Sequence, residues 1–339
     1  MPTTQHALQA QLLAIMHAVT FPAPGVVALG GRTLPDAAAA PSPTRAPDLV
    51  TNLQALFYEY CYCRHFDGAA TDRPVLPLRS DDLAPALSAA NSSRDRWDAG
   101  WQVEKTLPNG QIVAVKGAMT RMVWPGEFHA HGSPGSPVQA GMPVSLFAPR
   151  DSQLLQPGFY LAFGEAVPDQ EEQCAVVRFY WNISAEGAPR LVGAISAALN
   201  RFAIPFQLKC LRMPSLFDRS DSAVLYVARR YTRIVAVLLP GIYAAVRNDL
   251  DSTAPLFSKQ LADGLGVAED PQTGESFGMN RCRLMAEAVC RAHEQGHGSA
   301  EARLGEFGAL FAAAGLSLQH PYLKAGSAHS YDYLERLEA

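Results

Sequence analysis

Between Val177 and Ile183 the side chains alternate in character: Val177, Phe179, Trp181 and Ile183 are apolar, whereas Arg178, Tyr180 and Asn182 are polar. A period of two is the mark of a β-strand, because successive side chains point to opposite faces of the sheet. Such a strand needs a partner strand and a core against its apolar face, which rules out a purely helical bundle. Its other face carries a cation, a phenol and an amide in a row. That face is an ordinary solvated surface if it is open, and a polar cleft if something covers it. The runs IPFQLKCL (204–211) and SAVLYVAR (222–229) read as two further strands, with a helix around Pro189 to Asn200 preceding them. On the first of these runs Gln207 and Lys209 share one face, and Phe206, Leu208 and Cys210 share the other.

The rest of the chain fits around that sheet. Leu8, Leu12, Ile15 and Val19 recur at helical spacing, as do Leu49, Leu53, Leu56, Phe57 and Tyr60, and residues 36–47 have the proline-rich composition of a linker. Ser80-Asp81-Asp82 offers a cap for a short helix. From Trp97 the pattern changes. TLPNGQIVAVKG reads as a hairpin turning at Pro108-Asn109-Gly110, and His129 to Pro149 as an irregular loop with a short strand near its end. Two longer helices are expected over Tyr231 to Leu250, bent at Pro240, and from about Phe277 to Glu294, followed by a loop-rich end. The expected class is α+β, with a mostly helical region over residues 1–95 and a mixed-sheet domain over 96–339.

Composition narrows the function. The formal net charge of -4 and pI near 6.1 give no global attraction to nucleic acid or to an anionic membrane, so anion recognition has to come from placed arginines. No stretch is apolar for long enough to span a bilayer, and the N-terminus lacks the basic start of a signal peptide. The six cysteines lie scattered in apolar segments, which fits reduced thiols and a cytoplasmic protein. His129 and His131, with Cys61, Cys63 and His65, match no compact metal motif, so neither a metal nor another cofactor is expected. There is no kinase motif set, no nucleophile elbow and no phosphate-binding glycine loop; Gly264-Leu265-Gly266 reads as a turn whose acidic pair, Glu269 and Asp270, braces nearby arginines.

Taken alone, Lys209 is a strand lysine that snorkels to solvent or pairs with Asp218 or Asp221. Its company changes the weighing. Arg219 lies in FDRSD just before the next strand, and Arg281 in the first turn of a helix, where free N–H groups already favour anions. The stretches VRFYWNIS, ALNRFAIPFQLKCL, FDRSDSAVLYVARR, PLFSKQLADGLGVAEDP and SFGMNRCRLMAEAV, within roughly residues 145 to 300, resemble the HopA-type effectors of plant-pathogenic bacteria. They resemble also the related lyase subunits of class V lanthipeptide synthetases and, more distantly, the phosphothreonine lyases injected by enteric pathogens. Residues 1–95 carry no part of that resemblance.

The resemblance implies elimination of phosphate from phosphoserine or phosphothreonine. It puts Lys209 in the place of the base and Tyr180 in that of the general acid, where the phosphothreonine lyases carry a histidine. Arg178, Arg219 and Arg281 fall at the phosphate-binding positions. The physical chemistry agrees. Taking a proton from carbon needs a neutral amine, and burial beside guanidinium groups lowers a lysine's pKa, while the same groups hold phosphate oxygens. Lys116 is either a solvated hairpin lysine or an added phosphate contact. His129 or His131 could act as the acid in place of Tyr180; Asn182, Asp221 and Tyr226 are supporting residues, Tyr226 packing with its hydroxyl at the rim. The implied partners are a precursor peptide phosphorylated by a separate Ser/Thr kinase subunit, and a cyclase acting afterwards. An effector acting on a host phosphoprotein and a non-catalytic phosphopeptide-binding module are the alternatives.

Overall fold

A computed structural model describes residues 4–34, 49–70, 82–133, 135–168, 175–328 and 331–334. The linker reading of 36–47, Ser80-Asp81 and Cys174 lie outside those residues. Helix α1 (Thr4–Ala18) buries Leu12, Ile15 and Met16 and runs straight into a hairpin, β1 (Val19–Ala23) and β2 (Val26–Leu29), that periodicity alone did not suggest. Val19, expected as the last apolar residue of the helix, is the first of this strand. Helix α2 (Leu49–Phe57) continues into a π-helical turn, Tyr58–Tyr62, and α3 (Ala84–Ala90) is short; Asp82 accepts from its first backbone N–H.

Next come β3 (Arg96–Thr106) and β4 (Ile112–Lys116), the expected hairpin, followed by β5 (Met119–Val123), β6 (Phe128–Ala130) and β7 (Pro143–Ala148). These five form an antiparallel sheet in the order β5-β4-β3-β7-β6. His129 therefore sits in a strand rather than in the expected loop, and strand resumes at Pro143.

The larger sheet follows: β8 (Asp151–Ser152), β9 (Phe159–Phe163), β10 (Val176–Trp181), helix α4 (Ala188–Arg201), β11 (Phe206–Leu211), β12 (Ala223–Ala228), helix α5 (Thr232–Val246), β13 (Lys259–Ala262) and β14 (Leu265–Glu269). Its seven strands lie antiparallel in the order β13-β14-β10-β12-β11-β9-β8. Helices α6 (Phe277–Glu294) and α7 (Ala300–Ala313) close the chain. α7 corrects the expected loop-rich end: Ser299 caps it, and Phe307 and Phe311 bury themselves one helical turn apart. Pro240 stands on an exposed face of α5, where water can take the backbone carbonyl that the proline leaves without a donor. Among the described residues, no helix is long and apolar enough to cross a membrane.

The fold is α+β, helical in front and sheet-rich behind. The apolar side chains of α1, α2 and the π-helical turn share one continuous core with the seven-stranded sheet, and the five-stranded sheet keeps a small core of its own around Trp101, Ile112 and Leu146. β10 and β12 lie at the centre of the larger sheet and are mostly buried on both faces, so the polar row of β10 faces a covered space. The cover is local. α2 and the π-helical turn pack on α6, and the Tyr62 ring crosses Tyr180 edge-on with centroids 6.4 Å apart. Gly278 permits this, since a Cβ there would lie 2.4 Å from the Tyr62 ring. Gly278→Ala is expected to destabilise the fold by about 1–3 kcal/mol through overpacking. A shift in the urea midpoint with an unchanged m-value checks it.

Candidate functional site

Register brings the polar side chains together. β10 pairs with β12 and β12 with β11, so that Arg178 lies opposite Tyr226 and Tyr226 opposite Gln207; one step along, Tyr180 lies opposite Val224 and Val224 opposite Lys209. Directly opposed residues share a face of the sheet. Lys209, Gln207, Tyr226, Arg178 and Tyr180 therefore occupy one face, beneath the π-helical turn and the start of α6.

Arg219 enters from the turn before β12. That turn is tied to the π-helical segment: the Ser220 N–H donates to the Cys63 carbonyl at 2.7 Å, its hydroxyl to the Tyr62 carbonyl at 2.9 Å, and Arg64 Nη2 to Asp218 at 2.8 Å. Arg219 Nε and Nη2 donate to the two oxygens of Asp221 at 2.8 and 2.9 Å, and Nη2 also reaches the Tyr58 hydroxyl at 3.1 Å. Arg178 is held similarly, its Nε and Nη2 both on Asp270 Oδ2 and its guanidinium carbon 5.3 Å from the Tyr226 ring centre. Each carboxylate takes the Nε–Nη2 edge of its arginine. The Nη1 side remains for another anion.

Lys209 differs from both. Among the described residues no carboxylate lies within ion-pair distance of its amine, which stands 3.7 Å from the centre of the Phe159 ring. Burial, together with Arg219 and Arg178 and against Asp221, lowers its pKa from 10.5 to about 8. The cluster thus contains two permanent cations, two carboxylates and one amine that is readily neutral. Tyr180 is 2% exposed, and its hydroxyl lies near Tyr62 and Arg178 without meeting the geometry of a hydrogen bond to any of the described groups. Burial pushes this phenol up despite Arg178, which makes it a weak proton donor but leaves an O–H with no other task.

Several expected residues are engaged otherwise or stand elsewhere. Arg281 is 1% exposed, and its donors go to the Pro321 carbonyl (3.1 Å), Asn280 Oδ1 (2.6 Å) and the Leu323 carbonyl (2.6 Å). It pins the C-terminal segment to α6, with Phe277 and Phe311 against its guanidinium, and burial lowers its pKa to about 10. Arg281 thus lies close enough to Tyr180 and Tyr62 to feel their charge, but in this structure its donors are taken by the C-terminal segment and Asn280, and it offers no free edge as Arg178 and Arg219 do. Lys116 belongs to the five-stranded sheet, bound to Asp98 and to the Ala99 carbonyl at 2.7 Å each, and not to the Lys209 cluster. The His129 and His131 rings meet edge-on with centroids 5.1 Å apart at the end of a strand of that same sheet, with His131 on the Ser145 hydroxyl, so neither stands in the Lys209 cluster. Asn182 donates to the carbonyl and hydroxyl of Thr253, at 3.0 and 2.9 Å, and fastens a loop. Asp221 and Tyr226 do stand in the cluster, Asp221 as the anchor of Arg219.

The acidic pair at the end of β14, Glu269 and Asp270, braces arginines as expected. Asp270 holds Arg178, and the buried Glu269 lies 3.6 Å from Arg229 while accepting from Tyr331 and Ser327. Sequence reasoning missed Tyr58, Tyr62 and Phe159. The signal for the first two was their spacing of one helical turn; Phe159 shows none, because its role depends on the pairing of β9 with β11. Among the described residues, no three or more His, Cys, Asp or Glu side chains gather as metal ligands would.

The HopA1 effector protein family matches residues 150–323, slightly more than half of the 339 residues. The chain belongs to the HopA1 effector protein family. The matched segment contains every strand of the larger sheet, with Arg178, Tyr180, Lys209, Arg219 and Tyr226. Among solved structures, an effector protein from Pseudomonas syringae pv. tomato strain DC3000 is 14% identical, with 83% of this chain and 91% of that one covered and a TM-score of 0.45. An effector protein from Pseudomonas syringae pv. syringae strain 61 is 16% identical over 49% of this chain and 63% of that one, with a TM-score of 0.37. No curated protein matches the sequence.

The two arginines separate by experiment. Arg281→Ala leaves buried carbonyls without donors and is expected to cost about 3 kcal/mol of stability, visible as a lower urea midpoint. Arg219→Ala is expected to cost less stability and to weaken inorganic phosphate binding, measured by calorimetry, by about tenfold.

Proposed function

We propose that this HopA1-family chain is a lyase that eliminates phosphate from phosphoserine and phosphothreonine in a peptide. The observation that carries this reading is the Lys209 amine, half-buried on Phe159, free of a carboxylate contact and lowered to about 8 beside two guanidinium groups.

At pH 7 an ordinary lysine is neutral in roughly one molecule in two thousand, whereas one with a pKa near 8 is neutral in roughly one in ten. That difference raises the population of active base about two-hundredfold. In the proposed reaction the neutral amine takes the α-proton of the phosphorylated residue and becomes an ammonium. The Cα–H electrons form the Cα=Cβ double bond, the Cβ–O bond breaks, and its electron pair leaves with the phosphate. Arg178 and Arg219 hold the phosphate through their Nη1 sides and stabilise the charge that gathers on it. Tyr180 supplies a hydrogen bond to the departing oxygen rather than a ready proton, given its raised pKa. The products are dehydroalanine from phosphoserine and dehydrobutyrine from phosphothreonine.

The resemblance to the lyase subunits of class V lanthipeptide synthetases supports a precursor peptide as substrate. A separate kinase subunit would phosphorylate it, and a cyclase would use the dehydro residues. The family's own name, an effector family, favours a second setting: the same elimination on a host phosphoprotein.

Incubation of the protein with a phosphorylated peptide should give loss of phosphoric acid by mass spectrometry. Lys209→Ala should lower kcat/KM by about 10²–10⁴ while phosphopeptide affinity persists. Because the base works unprotonated, kcat/KM should rise tenfold per pH unit below about 8 and level off above it. Undiminished binding with no elimination by the wild-type protein would instead identify a phosphopeptide-binding module.

A further inference from the structure

A cavity of about 430 Å³ lies where the two larger sheets meet, within the size range of pockets that bind small molecules and side chains (roughly 300–1,000 Å³). Its wall is mostly apolar, with Phe163, Phe206 and Val227 from the seven-stranded sheet, and Arg96 and Arg121 of the five-stranded sheet bring cations to it. Arg96 donates to the Gly164 carbonyl at 2.9 Å but keeps a buried Nε with no hydrogen-bond partner. Arg121 is exposed, with its guanidinium 5.7 Å from the Trp101 ring centre and, among the described residues, no carboxylate within ion-pair distance.

The cavity has its own lining, distinct from Lys209, Arg178 and Arg219, but it adjoins them. Tyr226 lines it and carries Arg178 against its ring; Gln207 lines it and precedes Lys209 by two residues on the same strand face. Two residues along a strand cover about 7 Å, and an extended peptide advances by the same amount between side chains on one side. A peptide that runs along β11 with its phosphorylated residue at Lys209 would bring the side chain two positions away to the cavity beside Gln207.

We propose that this cavity is the specificity pocket of the site, taking a bulky apolar side chain two residues from the phosphorylated one, with Arg96 and Arg121 donating to the peptide's carbonyl oxygens. The inference rests on the reading of Arg178, Arg219 and Lys209 given above. It adds the substrate class: phosphopeptides with a large apolar residue at that spacing. Selection comes from apolar burial, and the arginines contribute hydrogen bonds available from any sequence.

The test uses fluorescein-labelled phosphoserine peptides, identical except for Leu or Gly two residues before or two residues after the phosphoserine. Their binding to the full chain is followed by fluorescence anisotropy in a Lys209→Ala background, which prevents turnover. One Leu peptide should bind about tenfold tighter than its Gly counterpart. Ala148, the last residue of β7, and Val167, in a loop, also line the cavity; Ala148→Trp and, independently, Val167→Trp should fill it, and each should abolish that preference without weakening the Gly peptide. Equal binding of all peptides, or a preference that survives in a folded Trp variant, overturns the proposal. Arg219→Ala tells the two readings apart. Equal weakening of both peptides supports the phosphate site, whereas unchanged affinity overturns that reading and the spacing argued from it.

Discussion

The site depends on burying an amine on a covered face of a β-sheet without giving it a carboxylate contact. An ammonium placed there would keep its charge only at a desolvation cost, and the two nearby guanidinium groups add repulsion, so the neutral form gains ground. The Phe159 ring softens this penalty by offering its face to the cation, and Asp221 opposes it through space. The balance brings the amine close to the pH at which a base is both available and strong enough to act.

The arginines need the opposite treatment. Asp221 and Asp270 each hold one guanidinium by the same edge, which fixes the side chains and would lower the entropy to be lost if a phosphate bound there, as proposed. The supports are tied to the scaffold: Asp270 directly follows β14, and Asp221 lies in a turn stitched to the π-helical segment. A π-helical turn inside a helix is a frequent companion of functional sites, and here it brings Tyr58 and Tyr62 over the sheet.

Much of this was legible in the sequence because the larger sheet obeys local rules. The alternation in β10 and β11 shows which residues share a face within each strand, and the register of the sheet brings Lys209, Arg178 and Tyr180 to one side. What failed did so for identifiable reasons. Arg281 was read from its place at a helix start, and nothing local reveals that the chain returns some forty residues later to bury it under Pro321 and Leu323. His129, His131 and Lys116 looked available because nothing local separates their own sheet from the larger one. Helix α7 was missed because Gly305 and Gly308 dilute its apolar period, and the β1–β2 hairpin because Val19 completes a helical pattern that stops one residue earlier.

The central claim concerns one proton, and NMR can follow it directly. In protein carrying ¹³C-labelled lysine, the resonance of the Lys209 ε-carbon, assigned by its loss in Lys209→Arg, should titrate with a midpoint near 8. A midpoint near 10.5, the value of an unperturbed lysine, would mean that the amine is protonated throughout the physiological range and would contradict the account.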